Sequence, residues 1–392
     1  MNSRSFRKTE IKSMKEQQSG TMPEARVTLF CFLLTVLVVY VHAPNIGLTA
    51  GGMEPVPGSI GAFFAEAEQF FSGFVGAAAV PGFFFLSAMR FFQTFARSET
   101  NGAPVFREWR AAMSVIFVKW KRRLRSLLLP YLLWNGVYYL VYVLAGRVPL
   151  RPDTAFAGIL NYAFNPVFWY MKQLMILTLL APVIYLLVCR RGLRFAALGV
   201  SMYLAVFYDR LPFHIVNEDA LFYYMVGAVY VMERGARLQD DKERKTDLNG
   251  VQKVELPLCA VLLAVCGMLS WSAQNGQAAF GHIYIGRNTY LAATIAFRIC
   301  LPYCLWQLLG LLRLQKGSLP PVIGISFFVY AMHFLIVRGL NHVLIGSAPQ
   351  DYALLFIAYL LLPAISFGLC YVLFLAANRI CPRLYGLFTG GR

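Results

Sequence analysis

Long apolar runs alternate with short polar segments along almost the whole chain. A helix of about 20 apolar residues can cross a bilayer, because it satisfies its backbone hydrogen bonds internally. The pattern therefore predicts an all-α membrane protein, built as a single bundle of about ten transmembrane helices. The apolar runs lie at about residues 27–44, 70–93, 127–145, 167–188, 193–208, 219–232, 256–273, 290–312, 321–341 and 352–377, the fifth and sixth being the shortest.

The polar segments between these runs are too short to form a soluble domain, which usually has about 100 residues or more. We expect one transmembrane domain at 26–378, a basic cytoplasmic N-terminal tail at 1–25 and a short cytoplasmic C-terminal tail at 379–392. Segment 233–255 carries charges of both signs and is interpreted as a loop. Composition agrees with a membrane location, since 58% of the residues are hydrophobic and only 14% are charged, against about 25% charged in soluble domains.

The net charge of +17 is distributed regularly among the polar segments. Arg and Lys are concentrated before the first run and after the second, fourth, sixth, eighth and tenth runs, whereas the alternate segments contain few of them. Cytoplasmic loops of membrane proteins carry such an excess of positive charge. The distribution predicts an even number of spans with both termini in the cytoplasm. It also explains the charge by membrane lipid rather than by a nucleic-acid partner.

The sequence contains neither a cysteine framework nor a common catalytic signature. The eight cysteines lie within apolar runs or at their predicted cytoplasmic ends, so disulfide bonds of an oxidising compartment are not expected. Cys300 and Cys304 share a helix face, but they have no neighbouring His or carboxylate and do not predict a metal site. GxSxG, P-loop and HExxH motifs are absent.

Four ionisable residues interrupt the apolar runs and are candidate catalytic groups. His42 lies near the outer end of the first run, Lys172 at the start of the fourth, Arg298 in the eighth and His333 in the middle of the ninth. An ionisable group in hydrocarbon costs free energy unless it has a partner or a function. Any one of them could instead join two helices or extend to the membrane interface.

The densest basic cluster, KWKRRLR at 119–125, directly precedes the apolar SLLLPYLLW. Its ordinary role would be to anchor the chain to anionic lipid. The alternative is an anion site at the cytoplasmic mouth of the bundle. Arg122 and Arg125 would lie on one helix face and could grip a phosphate together, with Lys121 and Arg123 beside them.

Acidic and aromatic residues near the external side are candidates for binding a sugar. Glu66 and Glu68 precede the second run in an otherwise uncharged stretch, and Trp169 and Tyr170 open the fourth run. Aromatic residues also collect at membrane interfaces, where they need no ligand. A second external group of this kind surrounds the loop after the seventh run: Trp271, His282 and Tyr284.

Five short segments carry a family resemblance when they are taken in order. The first helix ends in a histidine, LTVLVVYVHAP, and is followed by PGFFFLSAMRFF, KRRLRSLLLPYLLW, PVFWYMKQLMILTLLAPVIY and GISFFVYAMHFLIV. Over about residues 27–340 these segments resemble the acyltransferase 3 family of integral-membrane acyltransferases. Members of that family move acyl groups, often acetyl, from a cytoplasmic acyl-CoA to a glycan or another hydroxyl-bearing acceptor.

The chain departs from the pattern of that family at three positions. Cys31 stands where the family usually has an Arg, eleven residues before the first-helix histidine, and the nearest upstream arginine is Arg26. Ala88 stands where Gly is common, and Gln173 where related members often have an acid. These departures bear on the roles of the first helix and of Lys172.

The resemblance implies an acyl-CoA donor, with acetyl-CoA favoured over succinyl or longer acyl chains, and no metal. Its phosphates would bind Arg122 and Arg125, and Arg123 or Lys121 would assist. The acceptor would be a glycan or a lipid-linked sugar of the cell envelope. The protein would be a multi-pass protein of a bacterial cytoplasmic membrane.

The resemblance also implies an O-acetyltransferase-like mechanism. His42 would act as the general base toward the acceptor hydroxyl, since neutral imidazole can take a proton near neutral pH. A covalent acyl-histidine is the less favoured variant. His333, Lys172 or Arg298 would stabilise the tetrahedral oxyanion.

Two other classes of function fit the membrane pattern. A transporter or flippase would use intramembrane His, Lys and Arg as a substrate or proton pathway, with broken helices in two related halves. Pro81 and Pro363 interrupt two runs, but no internal repeat is visible. A purely structural membrane subunit would leave His42 and His333 unexplained. We favour the acyltransferase.

Overall fold

The structure, a computed structural model, describes residues 24–46, 55–98, 109–207, 215–244, 248–274, 286–312, 314, 317, 319–347 and 351–391. The predicted N-terminal tail up to residue 23, and His282 and Tyr284, lie outside these residues. All regular secondary structure in the described part is helical, as the apolar pattern predicts. Its α-helices are α1 (Glu24–His42), α2 (Ile60–Gln69), α3 (Ala79–Ser98), α4 (Trp109–Arg123), α5 (Leu129–Leu144), α6 (Pro152–Leu160), α7 (Trp169–Leu179), α8 (Ala181–Val188), α9 (Arg191–Phe207), α10 (Glu218–Arg244), α11 (Leu248–Gln274), α12 (Arg287–Leu311), α13 (Pro321–Gly324), α14 (Ser326–Ser347), α15 (Tyr352–Ile380) and α16 (Pro382–Thr389).

Within the described ranges, seven helical segments are long and apolar enough to cross a membrane: Glu24–His42, Ile60–Ala96, Ala112–Leu144, Glu255–Ser272, Arg287–Leu311, Ser326–Ser347 and Tyr352–Ile380. The pair Pro166–Leu179 and Ala181–Val188, bent by 63°, makes an eighth if it is one broken span. The two shortest predicted runs form α9 and α10, which are not among these segments. A multi-pass membrane protein follows, whereas ten spans and two cytoplasmic termini stay predictions.

Two of the long spans contain a wider helical turn that the apolar pattern does not predict. A π-helix at Phe70–Val75 and a short 3₁₀ turn at Gly76–Ala78 join α2 to α3. A second π-helix at Leu124–Leu128 joins α4 to α5, immediately after the basic cluster. Such π turns insert an extra residue into a helix and are often found at functional sites.

The interpretation of segment 233–255 as a loop was wrong. Helix α10 continues through this charged stretch to Arg244, and α11 begins at Leu248. The reason lies in residue type, since Glu, Arg, Lys and Gln are good helix formers and their charges do not oppose a helix outside the bilayer.

The candidate residues His42 and His333 belong to helices α1 and α14, and α1 packs between α3, α14 and α15. The tightest helix pair nearby is α3 with α10, where Gly227 faces the backbone of Phe85 and Gly235 faces that of Ala96. A side chain at either glycine would collide with that backbone, so small residues set the close approach, as is common between membrane helices. Apolar side chains of α11 and α15 remain exposed, including Val261 and Val372, and provide surfaces suited to lipid.

A buried ion pair ties α8, α9 and α10 together. The Arg194 guanidinium is 2.9 Å from the Glu233 carboxylate, and its Nε donates to the carbonyl oxygen of Val188 at 2.7 Å. Both Arg194 and Glu233 are buried. Because Arg194 also closes the C-terminal end of α8, it fixes the start of α9 against the bundle.

Candidate functional site

Two histidines from distant parts of the chain meet in the bundle. His42 is the last residue of α1, and His333 lies eight residues into α14. Their ring centroids are 5.3 Å apart, with an angle of 42° between the ring planes. His333 is fully buried, whereas His42 is partly exposed. The edge of the Phe334 ring packs against His42 at 5.4 Å and completes this contact.

The backbone fixes which nitrogen of His333 carries a proton. Nδ1 lies 2.8 Å from the carbonyl oxygen of Tyr330 and 3.2 Å from that of Val329. A carbonyl oxygen can only accept, so Nδ1 must be the donor and the neutral ring presents a lone pair at Nε2. Nε2 is buried and has no hydrogen-bond partner among the described residues. His333 can therefore accept a proton or a hydrogen bond at Nε2.

Buried polar groups hold the chain immediately after His42. One carboxylate oxygen of Glu68 accepts hydrogen bonds from the backbone N–H groups of Asn45 at 3.0 Å and Ile46 at 3.3 Å. The Asn45 amide donates to the carbonyl oxygen of Leu355, and the Asn341 amide donates to that of Ala43. These contacts fix the end of α1 to α2, α14 and α15, and so fix the position of His42.

The predicted acceptor-binding residues occupy different environments. Glu68 is buried beneath the end of α1, whereas Glu66 on the same helix is exposed. Trp169 is half-buried at the start of α7. Tyr170 is buried, with its ring 6.0 Å from that of Tyr330. A role for these residues in binding an acceptor stays a prediction.

Aromatic residues connect α7 to the histidine pair. The Tyr330 ring lies 6.2 Å from the His333 ring, and its hydroxyl donates to the carbonyl oxygen of Val167 at 2.6 Å. Tyr138 of α5 donates to the carbonyl oxygen of Ala331 at 3.0 Å. The first of these bonds ties α14 to the backbone two residues before α7, and the second ties α5 to α14, so both help to position His333.

Lys172 and Arg298 have their own partners away from the two histidines. The Lys172 ammonium donates to Asn161 at 3.0 Å and lies over the Tyr162 ring at 5.4 Å. Tyr162 has a φ of 50°, a left-handed conformation that is uncommon for residues other than glycine. Arg298 lies beside Asp219 and Tyr223 of α10. Neither cation contacts a histidine ring in the described part of the chain.

The basic cluster splits into exposed and inward-facing residues. Lys121, Arg122 and Arg125 are exposed. Arg123, directly before the π-helix, is half-buried and lies close to Arg90 and to the phenols of Tyr170 and Tyr224. The predicted pairing of Arg122 with Arg125 stays a prediction, whereas the inward position of Arg123 was not expected from its spacing.

The inward side of this cluster is positively charged. Lys119 donates to the carbonyl oxygen of Phe91 at 2.5 Å, and its ammonium lies near both Arg122 and Arg123. No carboxylate within the described ranges forms an ion pair with Arg90, Lys119 or Arg123. Unpaired cations that share a partly buried site are favourable for an anionic ligand.

Arg26 does not replace the arginine that the resemblance would place at Cys31. Its guanidinium lies 3.9 Å over the Trp306 ring and donates to the carbonyl oxygen of the same residue. Five residues separate Arg26 from Cys31, about 1.4 helical turns, so the two side chains point to different faces of α1.

Among the described residues, no group of three His, Cys, Asp or Glu side chains could hold a metal ion.

Comparison with models of known protein families identifies the family of this chain. The family model described as an acyltransferase domain matches residues 29–375, which is most of the chain and includes both histidines and the basic cluster. This match confirms the resemblance carried by the five ordered segments. Neither the curated proteins nor the solved structures contain a significant match.

Proposed function

The chain belongs to the acyltransferase domain family, and we propose that it transfers an acetyl group from cytoplasmic acetyl-CoA to a hydroxyl group of a cell-envelope glycan or lipid-linked sugar. The observation that carries the proposal is the contact between His42 and His333, at 5.3 Å between ring centroids. Two imidazoles at membrane depth, one of them with a free acceptor nitrogen, are suited to moving a proton. The proposal places the protein in a bacterial cytoplasmic membrane.

The donor site of the proposal lies at the basic cluster. The phosphates of CoA would bind the exposed Lys121, Arg122 and Arg125 at the mouth, with Arg123 reaching further inward. Guanidinium groups bind phosphate through paired, charge-assisted hydrogen bonds. Tyr170 supports this direction, because it lies near Arg123 at one side and near Tyr330 at the other. The thioester would follow this aromatic path toward His333.

A single base is enough to move the proton from the acceptor hydroxyl to the leaving thiolate. His42 takes the proton of the acceptor hydroxyl, and the oxygen attacks the thioester carbonyl. The tetrahedral intermediate collapses with cleavage of the carbon–sulfur bond, and the thiolate of CoA takes the proton from His42. The product is an ester, and His42 returns to its neutral form.

His333 is assigned a positioning role rather than oxyanion stabilisation. Its Nδ1 proton is bound by the Tyr330 carbonyl, so the neutral ring has no N–H left for an oxyanion. Its Nε2 can accept a hydrogen bond from His42 and so orient that ring. Lys172 and Arg298 remain the candidates for oxyanion stabilisation, and Glu66, Glu68, Trp169 and Tyr170 for the acceptor.

Inverted membrane vesicles that expose the cytoplasmic face, supplied with radiolabelled acetyl-CoA, test the function. We expect His42→Ala to lower the transfer of label into the glycan or lipid-linked fraction by about 10²- to 10⁴-fold, the usual contribution of a general base. His342→Ala is the matched control, because His342 is an exposed histidine of α14. Equal labelling by wild type and His42→Ala would remove His42 from the mechanism.

A further inference from the structure

An arginine lies at membrane depth on the far side of the histidine pair from the basic cluster. Helix α14 begins beside the C-terminal helix, since Phe328 packs on Trp134 and Tyr385 with ring centroids 5.6 Å apart in each case. Arg338 lies five residues after His333 in the same helix, about 7.5 Å further from that end. A charged residue at such depth is costly and is usually retained for a function.

The contacts of Arg338 leave most of its donors unused. One guanidinium nitrogen donates to the Tyr142 hydroxyl at 3.3 Å, and the group lies over the Phe334 ring at 5.5 Å. No carboxylate in the described part of the chain forms an ion pair with it. The side chain is exposed. A guanidinium has five N–H donors in a fixed fork, which suits a carboxylate or a phosphate.

Arg338 is also close to the proposed base. Both contact the Phe334 ring, which is 5.4 Å from the His42 ring and 5.5 Å from the guanidinium carbon. The sum of these distances, about 11 Å, is the upper limit for the separation of Arg338 from the His42 ring. One sugar ring with its substituents can bridge such a distance.

We propose that Arg338 binds an anionic group of the acceptor, so that the acceptor is an acidic sugar whose carboxylate or phosphate rests on Arg338 while a hydroxyl of the same residue reaches His42. This inference rests on the proposed function. The cytoplasmic donor does not account for Arg338, because the basic cluster is followed by Ser126, which packs against Gly390 at the end of the C-terminal helix, and that helix contacts the opposite end of α14. A phosphate in a lipid headgroup offers the same chemistry as a sugar phosphate, and the experiment must separate them.

Binding to the detergent-purified full-length protein tests the proposal without any transfer reaction. The anionic probes are p-nitrophenyl glucuronide and the 6-phosphate of p-nitrophenyl glucoside, and p-nitrophenyl glucoside is the neutral control. We expect at least one anionic probe to bind wild type and raise its melting temperature, while the neutral probe has little effect. Arg338→Gln should weaken this binding by at least about tenfold, as expected for lost charge-assisted hydrogen bonds. Arg338→Lys should retain part of it.

Arg147→Gln is the matched control, since it removes an exposed arginine from the segment after α5, and it should bind the anionic probes like wild type. Equal binding of the neutral and anionic probes, binding that is unchanged in Arg338→Gln, or binding of no probe would each overturn the proposal. The measurement is repeated in nanodiscs of phosphatidylcholine and of phosphatidylglycerol. A difference between wild type and Arg338→Gln that depends only on the anionic lipid assigns Arg338 to headgroups and also overturns it.

The two proposals fail separately. Selective binding of an anionic probe without transfer of label from acetyl-CoA would keep the anion site and reject the acetyltransferase. If Arg338→Gln instead transfers label with the same dependence on acceptor concentration as wild type, the acetyltransferase is kept and the anion site is rejected.

Discussion

At the scale of single residues, the state of His333 is set by the backbone rather than by a side chain. Nδ1 faces the Tyr330 carbonyl, and Nε2 has no partner in the described part of the molecule. If Nε2 orients His42, then activity depends on an acceptor atom at the position of Nε2 more than on the shape of the His333 ring. Substitutions that keep or remove the acceptor separate this role from simple packing.

We therefore expect His333→Gln to keep more transfer activity than His333→Ala, because the glutamine amide oxygen can replace Nε2 as an acceptor. His333→Ala should lower kcat by about 10²-fold and leave KM for acetyl-CoA nearly unchanged, as for loss of an interaction made mainly in the transition state. The measurement is the steady-state kinetics of each variant, with the pH profile of kcat. A pH profile of His333→Ala with the same shape as wild type, or equal losses in both variants, would indicate packing alone.

The histidine pair could be predicted in part from the sequence. Ionisable residues at membrane depth are rare and costly, so His42 and His333 stand out in apolar runs. The same reasoning also selected Lys172 and Arg298, whose partners Asn161 and Asp219 depend on how α6, α10 and α12 fold against their neighbours. The supporting amides of Asn45 and Asn341 were missed, because an uncharged amide at the edge of an apolar run is a weaker signal than an ionisable group within it.

At the scale of helices, the Arg194–Glu233 pair holds three elements in place. Removing one partner leaves a buried charge without compensation, so we expect Arg194→Ala to lower the free energy of unfolding by about 3–5 kcal/mol. Arg191→Ala is the control, since Arg191 is 3.6 Å from the same carboxylate but its side chain is 73% exposed, and it should cost less than about 1 kcal/mol. Unfolding of the purified variants in mixed micelles measures both.

A loss in Arg194→Ala as small as that in Arg191→Ala would contradict this account. The double substitution Arg194→Met with Glu233→Leu provides a further check. It removes both charges together and should recover much of the stability.

Apolar periodicity located the helices well but not their interruptions. Runs such as 27–44 and 352–377 correspond to α1 and α15, because only a helix can satisfy the backbone in lipid. The π-helix at Leu124–Leu128 was not predictable, since a single extra residue in a turn leaves hydropathy unchanged. Arg122 and Arg123 are adjacent in α4 and so lie about 100° apart around the helix, and the spacing of Arg122 and Arg125 was therefore a poor guide to the position of Arg123.

At the scale of the whole molecule, the C-terminal helix can be placed relative to the basic cluster. Trp134 donates to the Phe388 carbonyl at 3.0 Å, and Gly390 packs against the backbone of Ser126. The predicted C-terminal tail is therefore folded, as α16, beside the segment that follows the basic cluster. Its side of the membrane must be the side of that cluster.

We expect an N-terminal and a C-terminal reporter to lie on the cytoplasmic side, as an even number of spans requires. Green fluorescent protein fused at either end should fluoresce, and alkaline phosphatase fused there should be inactive. Fusion of the same reporters after Arg147 provides the opposite control, because that segment is predicted to be external. A C-terminal fusion with phosphatase activity would contradict both the even number of spans and the cytoplasmic donor site.

The bond from His333 to the Tyr330 carbonyl has a consequence for the charge that the bilayer must tolerate. Because Nδ1 of His333 keeps its proton for the Tyr330 carbonyl, a further proton on this ring must enter at Nε2 and would make the ring cationic. The net charge of the pair thus alternates between zero and one during a turnover. A low-dielectric interior would strongly oppose a second positive charge at this separation, so the burial of His333 and the closeness of the two rings limit the pair to one positive charge.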